Sequence, residues 1–336
     1  MPVSAPSSTA LPLHGGDIAA AEARWGRPVE GWLDLSTGIN PHPYPLPPIP
    51  SSLWARLPGA EAEAELIRAA QHRFNAPAAA KIVAAPGSQA LIQALPRLRA
   101  PGPVAILTPT YAEHGRTWNR AGHTVSLLTD PAAANPAGVL VIVNPNNPTG
   151  RCFDPAALAE LSARFASAGG LLVIDEAFAD PQPEMSLIPT LPAATVVLRS
   201  FGKFHGLAGL RLGFAVTTEA ELAEGLHRGF GPWAVSGPAL AVGAAALDDD
   251  AWASASRARL AADQARLIAV LTSAGLELVG GTPLFTLVRH SEAARIWDEL
   301  GQAGILVRAF EGQPDWLRIG LPADDTEFER LARALA

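Results

Sequence analysis

Lys203 is one of only two lysines in 336 residues, the other being Lys81, so a reaction that needs a side-chain amine has two candidates. Lys203 stands in SFGKFHGLAGLRLGF, three residues after the hydroxyl of Ser200 and eight before the guanidinium of Arg211, with glycines between them. Its aromatic and apolar neighbours predict a desolvated amine with a lowered pKa, the condition under which lysine attacks a carbonyl and forms a Schiff base. A lysine in a glycine-rich loop is more often simply solvated, so this motif needs partners.

Two further motifs precede it. VIVNPNNPTG ends an apolar run in a turn from Asn144 to Gly150, which by itself needs no function. LLVIDEAF puts Asp175 at the end of another apolar run, where an unpartnered carboxylate is costly. A helix cap or a buried ion pair accounts for that aspartate equally well. In APGSQALIQAL, a glycine turn runs into a helical pattern, so Gly87, Ser88 and Gln89 can aim backbone N–H groups at an anion from the positive end of a helix. Alone, PGSQ reads as an ordinary helix start.

The elements that must position these residues follow from the apolar pattern. Short apolar runs (VAILTP, GVLVIVNP, GLLVID, TVVLRS) alternate with helical stretches such as ALIQALPRL and PAALAELSARFA, and each run ends in a loop signal. That is the pattern of strands buried on both faces and joined by crossover helices in a mostly parallel α/β sheet. Binding residues then belong at the carboxyl ends of the strands. From about Trp233 the texture changes to long alanine- and arginine-rich helical sequence, followed by the strand-like ILVRAF and WLRIGL. The expected division is an N-terminal segment over residues 1–44 that packs with the small domain, a large domain over 45–232, and a small α+β domain over 233–336.

Composition narrows the chemistry. Nearly half the residues are apolar, enough for two cored domains, and a net charge of −7 without a basic run gives no footprint for nucleic acid or an anionic membrane. Cys152 is the only cysteine, which rules out an intrachain disulfide and a multi-cysteine metal site. No metal is expected. MPVSAPSSTALPL lacks the basic start and apolar stretch of a secretory signal, and no run approaches a membrane span. The expected location is the cytoplasm.

Taken together, Asn-Pro-Asn-Asn-Pro-Thr-Gly, then Asp-Glu-Ala-Phe, then Ser-x-x-Lys with an arginine eight residues on, resemble the fold-type I pyridoxal-phosphate family that includes the class I and II aminotransferases. The resemblance runs from about His14 to Arg318. It implies a large domain with a mostly parallel sheet covered by helices, a smaller α+β domain, and pyridoxal 5′-phosphate as cofactor. By the same resemblance Lys203 forms the Schiff base and Asp175 faces the pyridinium nitrogen. Asn147 donates to the ring's phenolic oxygen, Tyr111 in TPTYAEHGR stacks on the ring, and Gly87, Ser88, Gln89, Ser200 and Arg211 hold the phosphate.

Within the family, LHGGDIAAAEARWG, WLDLSTGINPHP and GPWAVSGPAL are similar to the branch that decarboxylates L-threonine O-3-phosphate in cobalamin biosynthesis. The implied product is (R)-1-amino-2-propanol O-2-phosphate. Arg318 in WLRIGL matches the arginine for the substrate α-carboxylate, which a planar guanidinium grips with two parallel bonds. Asn40 and Asn147 are further substrate contacts on this reading, and His14 with Gly15 would receive the substrate phosphate. The alternatives are a histidinol-phosphate or related aminotransferase, and a partner protein that hands aminopropanol phosphate to the corrinoid amide synthase.

Two positions depart from the broader family pattern. Many relatives have tyrosine where this chain has Phe178, which cannot donate to the phenolic oxygen, so a higher Schiff-base pKa is expected than in a tyrosine-bearing relative. In WARLPGAEAEAEL, Leu57 stands where relatives often lend a tyrosine to the neighbouring subunit's phosphate. The family still implies a homodimer, with His42 or Tyr44 as the residues that could replace that contact.

Overall fold

The structure, a computed structural model, describes residues 15–336. In chain order its strands are β1 (Leu33–Asp34), β2 (Lys81–Ala85), β3 (Pro103–Leu107), β4 (Thr124–Leu128), β5 (Val139–Val143), β6 (Leu171–Asp175), β7 (Thr195–Ser200), β8 (Gly213–Thr217), β9 (Glu277–Thr282), β10 (Phe285–Arg289), β11 (Ile305–Leu306), β12 (Arg308–Phe310) and β13 (Gln313–Gly320). Contacts divide the chain into two compact units. One is His42–Arg257; the other joins the residues before it to Ala258–Ala336.

The larger unit is built on a seven-stranded sheet in the order β2-β8-β7-β6-β5-β3-β4. From β4 to β7 neighbouring strands are parallel, and β8 runs antiparallel to both β7 and β2. Every residue of VLVIV, LLVID and TVVLRS is buried. Helices cover both faces, so these strands are continuously apolar instead of alternating. Alternate residues feed two cores: Leu140, Ile142, Ile174 and Val197 pack with Leu66, Phe165 and Leu240, whereas Val141, Val173, Val196 and Leu198 pack with Leu91, Trp118 and Leu226. The sheet thus has the mostly parallel, helix-covered form that the apolar runs predict.

Register lines up the motif-bearing strand ends. Val143 pairs with Asp175, Asp175 with Leu198, Ser200 with Gly213, and Gly213 with Ala85. The loops after β2, β5, β6 and β7 therefore leave the same edge of the sheet, where a parallel α/β fold gathers its binding residues.

The contact division falls at 257/258, inside the helix Asp250–Ser273, whereas the sequence texture changes near Trp233. The reason lies in the alanine-rich helix Gly237–Asp248, which packs on the helix Ala60–Arg73 and shares the larger unit's core through Leu240, Ala244 and Leu247. A Cβ at Gly243 would sit 2.5 Å from Leu212 Cδ2 and 2.9 Å from Leu66 Cδ1. Small residues here permit close approach of the helix to its neighbours.

In the smaller unit, β12-β13-β10-β9 form an antiparallel sheet, and β1 pairs in parallel with β11 through Leu33↔Ile305 and Asp34↔Leu306. Trp25 packs between Trp32 and Trp297, and its indole Nε1 donates to Asp298 Oδ1 at 2.9 Å. These contacts tie the segment before Pro41 to the C-terminal elements. Among the described residues, no helix is long and apolar enough to cross a membrane.

Candidate active site

β7 ends at Ser200 and passes directly into a single helical turn, Phe201–Phe204, that carries Lys203. Gly202 is required there, because a Cβ would collide with the Ala208 backbone beneath the turn. Lys203 is half-buried, with Nζ 5.8 Å from the ring centroid of the buried Phe178.

Asp175, at the end of β6, is only 3% exposed. Its Oδ1 accepts from the Ala177 N–H at 3.0 Å, and its Oδ2 lies 2.8 Å from His114 Nε2. His114 is equally buried, so this carboxylate exchanges water for a defined partner. Tyr111 meets His114 edge-on at 6.2 Å, and its hydroxyl donates to Gln89 Oε1 at 3.1 Å. Burial pushes the Tyr111 phenol up to about 12, reinforced by the charges of Glu113 and Asp175, so it stays protonated at any ordinary pH.

The asparagine-rich turn divides its labour. Asn144 accepts from the Phe153 N–H at 2.7 Å, and Asn146 donates to Pro109 O at 2.8 Å and Thr149 Oγ1 at 2.7 Å. Those two side chains brace the loop from within, and Asn147 is held half-buried between them and the Pro-Thr-Gly that follows.

Gly87, at φ +85°, turns β2 into the helix that begins at Ser88. The Arg211 guanidinium lies against it: a Cβ at Gly87 would sit 2.5 Å from Arg211 Nη2. Arg211 itself occupies the left-handed region, at φ +54°, and its Nη1 donates to Ala208 O at 2.9 Å. Gly213 brings the two segments together, since any side chain there would strike the Ser88 N–H and the Arg199 carbonyl. Ser200, paired across to Gly213, closes the group. The result is a compact set of N–H, hydroxyl and guanidinium donors beside a buried carboxylate, a donor set that fits a phosphate-bearing pyridine ring.

Behind this face, strand alternation points the neighbours of the site residues the other way. Glu176 and Arg199, one residue from Asp175 and Ser200 respectively, meet at 2.8 Å, and Arg199 also pairs with Asp180. Ser186 donates to Glu176 Oε2 at 2.6 Å. Burial pushes the Glu176 carboxyl up while Arg199 opposes it. The network clamps the ends of β6 and β7, where Asp175 and Ser200 sit.

In the smaller unit, Arg318 is buried on β13, pairs in register with Arg308 on β12, and donates from Nη2 to Ser36 O at 2.7 Å. Burial, with the Arg308 charge second, lowers the Arg318 guanidinium to about 10. Gly15 packs on the Ser36 carbonyl so tightly that a Cβ would clash, and the Gly16 N–H donates to Ser36 Oγ at 2.7 Å. A cleft here is lined by Gly15, Ser36 and Arg308 among others. Asn40 is buried in the same segment. His14 lies outside the described residues.

His114, Arg308 and Gly213 are not singled out by sequence reasoning. His114 offered one signal, a position one helical turn after Tyr111. Tyr44 is buried against Trp252 with its hydroxyl 3.5 Å from Ala245 O and from Asp249 Oδ2. Leu57 is 67% exposed. A separate cleft of about 280 Å³, lined by Pro58, Glu63, His227, Phe230 and Trp233 among others, holds none of the residues around Lys203.

Residues 52–335 match the model of the family described as aminotransferase class I and II. The chain belongs to that family. It is 46% identical over 330 residues to a threonine-phosphate decarboxylase from Sinorhizobium sp, covering 96% of this chain and 97% of the relative. It is 45% identical over 331 residues to a threonine-phosphate decarboxylase from Pseudomonas aeruginosa, covering 96% of each. Among solved structures, a histidinol-phosphate aminotransferase from Sinorhizobium meliloti in complex with pyridoxal-5′-phosphate superposes with a TM-score of 0.76 at 24% identity, covering 94% of this chain and 93% of that one. That likeness establishes the shared fold.

Proposed function

We propose that this chain is a pyridoxal-phosphate-dependent decarboxylase of L-threonine O-3-phosphate that forms (R)-1-amino-2-propanol O-2-phosphate, the linker of the cobalamin nucleotide loop. The observation that carries the reading is near-full-length similarity to two enzymes of that activity, because the residues around Lys203 are of a kind that aminotransferases also use.

Bound at this site, pyridoxal phosphate supplies a protonated pyridine ring that accepts the electron pair left when carbon dioxide departs. Lys203 would anchor the cofactor through its amine and would deliver a proton to Cα after carbon dioxide departs. Asp175, oriented by His114, would keep the ring nitrogen protonated. Asn147 would donate to the ring's phenolic oxygen, Tyr111 would pack against the ring, and Phe178 fills the space beside Lys203 without donating. Gly87, Ser88, Gln89, Ser200 and Arg211 hold the cofactor phosphate.

Arg318 receives the substrate α-carboxylate, with Asn40 and Gly15 as further contacts. The substrate carries two anionic groups, and two cross-strand arginines, Arg308 and Arg318, supply matching charge. With the substrate carboxylate gripped by Arg318, its bond to Cα would be the one that breaks, whereas an aminotransferase removes the α-proton instead.

The enzyme acts in the cytoplasm as a homodimer. Trp54, Leu57 and Trp233 expose 69%, 67% and 58% of their surface, apolar area suited to a second subunit. Contact with the corrinoid amide synthase would pass the product on. Product analysis with and without a 2-oxo acid tests the reading, since only an aminotransferase needs the acceptor.

A further inference from the structure

His205 closes the single helical turn that carries Lys203. Its Nδ1 lies 3.1 Å from the Phe201 carbonyl oxygen, and its backbone N–H reaches the same oxygen at 3.4 Å. Its own carbonyl accepts from the Tyr44 N–H at 2.9 Å. The imidazole is stacked on both faces, on Phe201 at 4.1 Å with an interplanar angle of 7°, and on Trp252 at 5.4 Å with 13°.

A carbonyl can only accept, so Nδ1 carries the ring proton and Nε2 is left as a buried acceptor with no hydrogen-bond partner among the described residues. Burial holds the imidazole near pKa 4, with Arg73 and Arg199 adding to the effect, while Asp180 and the bond to Phe201 oppose it. The ring is therefore a neutral Nδ1–H donor at neutral pH. A four-residue turn has no stability of its own, because the nucleus of a helix costs more than its one or two hydrogen bonds return. Something outside the turn must fix it.

We propose that His205 is the positioning residue for Lys203: its Nδ1–H bond to the Phe201 carbonyl sets the turn that aims the amine. The inference rests on Lys203 being the cofactor's anchor. The competing account is that the ring only fills space between Phe201 and Trp252, in which case another aromatic ring of similar size would serve.

Two variants separate these accounts. His205→Phe keeps both stacking contacts and removes the donor. His205→Asn keeps a donor, since its amide nitrogen occupies the position of Nδ1, and removes the stack. The readouts are the melting temperature and the rate at which the cofactor's visible absorbance band develops when apoprotein is mixed with pyridoxal phosphate. His205→Phe is expected to melt within a few degrees of the parent while the band develops about tenfold more slowly. His205→Asn is expected to lose several degrees yet keep the rate within about twofold. A parental rate in His205→Phe, or rates that simply follow melting temperature across the series, would overturn the proposal. If the unaltered chain develops no band at all, the assignment of Lys203 as anchor has failed, and this inference fails with it.

Discussion

His114 Nε2 stands 2.8 Å from Asp175 Oδ2, and the two side chains are buried together at the carboxyl edge of the sheet. A carboxylate placed there to face a ring nitrogen needs its other oxygen held, or it turns toward the nearest donor. The Ala177 N–H fixes one oxygen and His114 the other. His114→Phe should lower kcat about 10- to 100-fold and weaken cofactor binding, because one oxygen of the buried Asp175 then loses its partner. His114→Gln, which keeps a donor, should recover part of both losses. Steady-state kinetics and cofactor titration by absorbance check this.

Arg318 is buried, bonded to the Ser36 carbonyl, and paired across the sheet with Arg308. Arg318→Lys keeps the charge but loses the planar fork, so KM for threonine phosphate should rise about tenfold or more with a smaller change in kcat. Arg308→Gln should raise KM less for unphosphorylated threonine than for the phosphorylated substrate. An equal effect on both substrates would remove Arg308 from phosphate binding.

The buried imidazole of His205 gives stability a pH dependence. Its pKa is about 4 in the folded chain against 6.5 in the unfolded one, so between these values the unfolded state binds the extra proton. Its contribution is fully present above about pH 6.5 and is lost as pH falls through about 4, up to roughly 3 kcal/mol in all. Chemical denaturation of the parent and of His205→Phe at pH 7.5 and about pH 4.5 measures the difference, which should be larger in the parent.

Phe178 lies 5.8 Å from Lys203 Nζ and offers no hydrogen bond. Phe178→Tyr adds a phenol that can donate to an oxyanion on the cofactor and so favour the form without the extra proton. The midpoint of the holoenzyme's absorbance titration should fall, by about half a unit or more. A midpoint that rises would contradict the role given to this position.

Much of this architecture was legible in the chain. Strands buried on both faces are written as unbroken apolar runs, and the chemistry-bearing residues follow those runs directly, so both the sheet and the position of Asp175, Asn147 and Lys203 could be read. His114 was hidden because its one signal, a position one turn after Tyr111, decides nothing until the facing strand is known. The Arg308–Arg318 pair depends on antiparallel register, which composition does not encode. The helix Gly237–Asp248 misled in another way: its alanines look like the start of a new domain but serve close packing against Leu66 and Leu212. The sandwich of His205 between Phe201 and Trp252 joins residues far apart in sequence and could be found only in three dimensions.

The central claim is most directly tested by incubating purified, cofactor-loaded protein with L-threonine O-3-phosphate in heavy water, without any 2-oxo acid, and analysing the product by mass spectrometry. The account predicts aminopropanol phosphate that keeps its original α-hydrogen and gains one carbon-bound solvent deuterium in place of the carboxylate. No loss of carbon dioxide, together with amino transfer only when a 2-oxo acid is added, would contradict it.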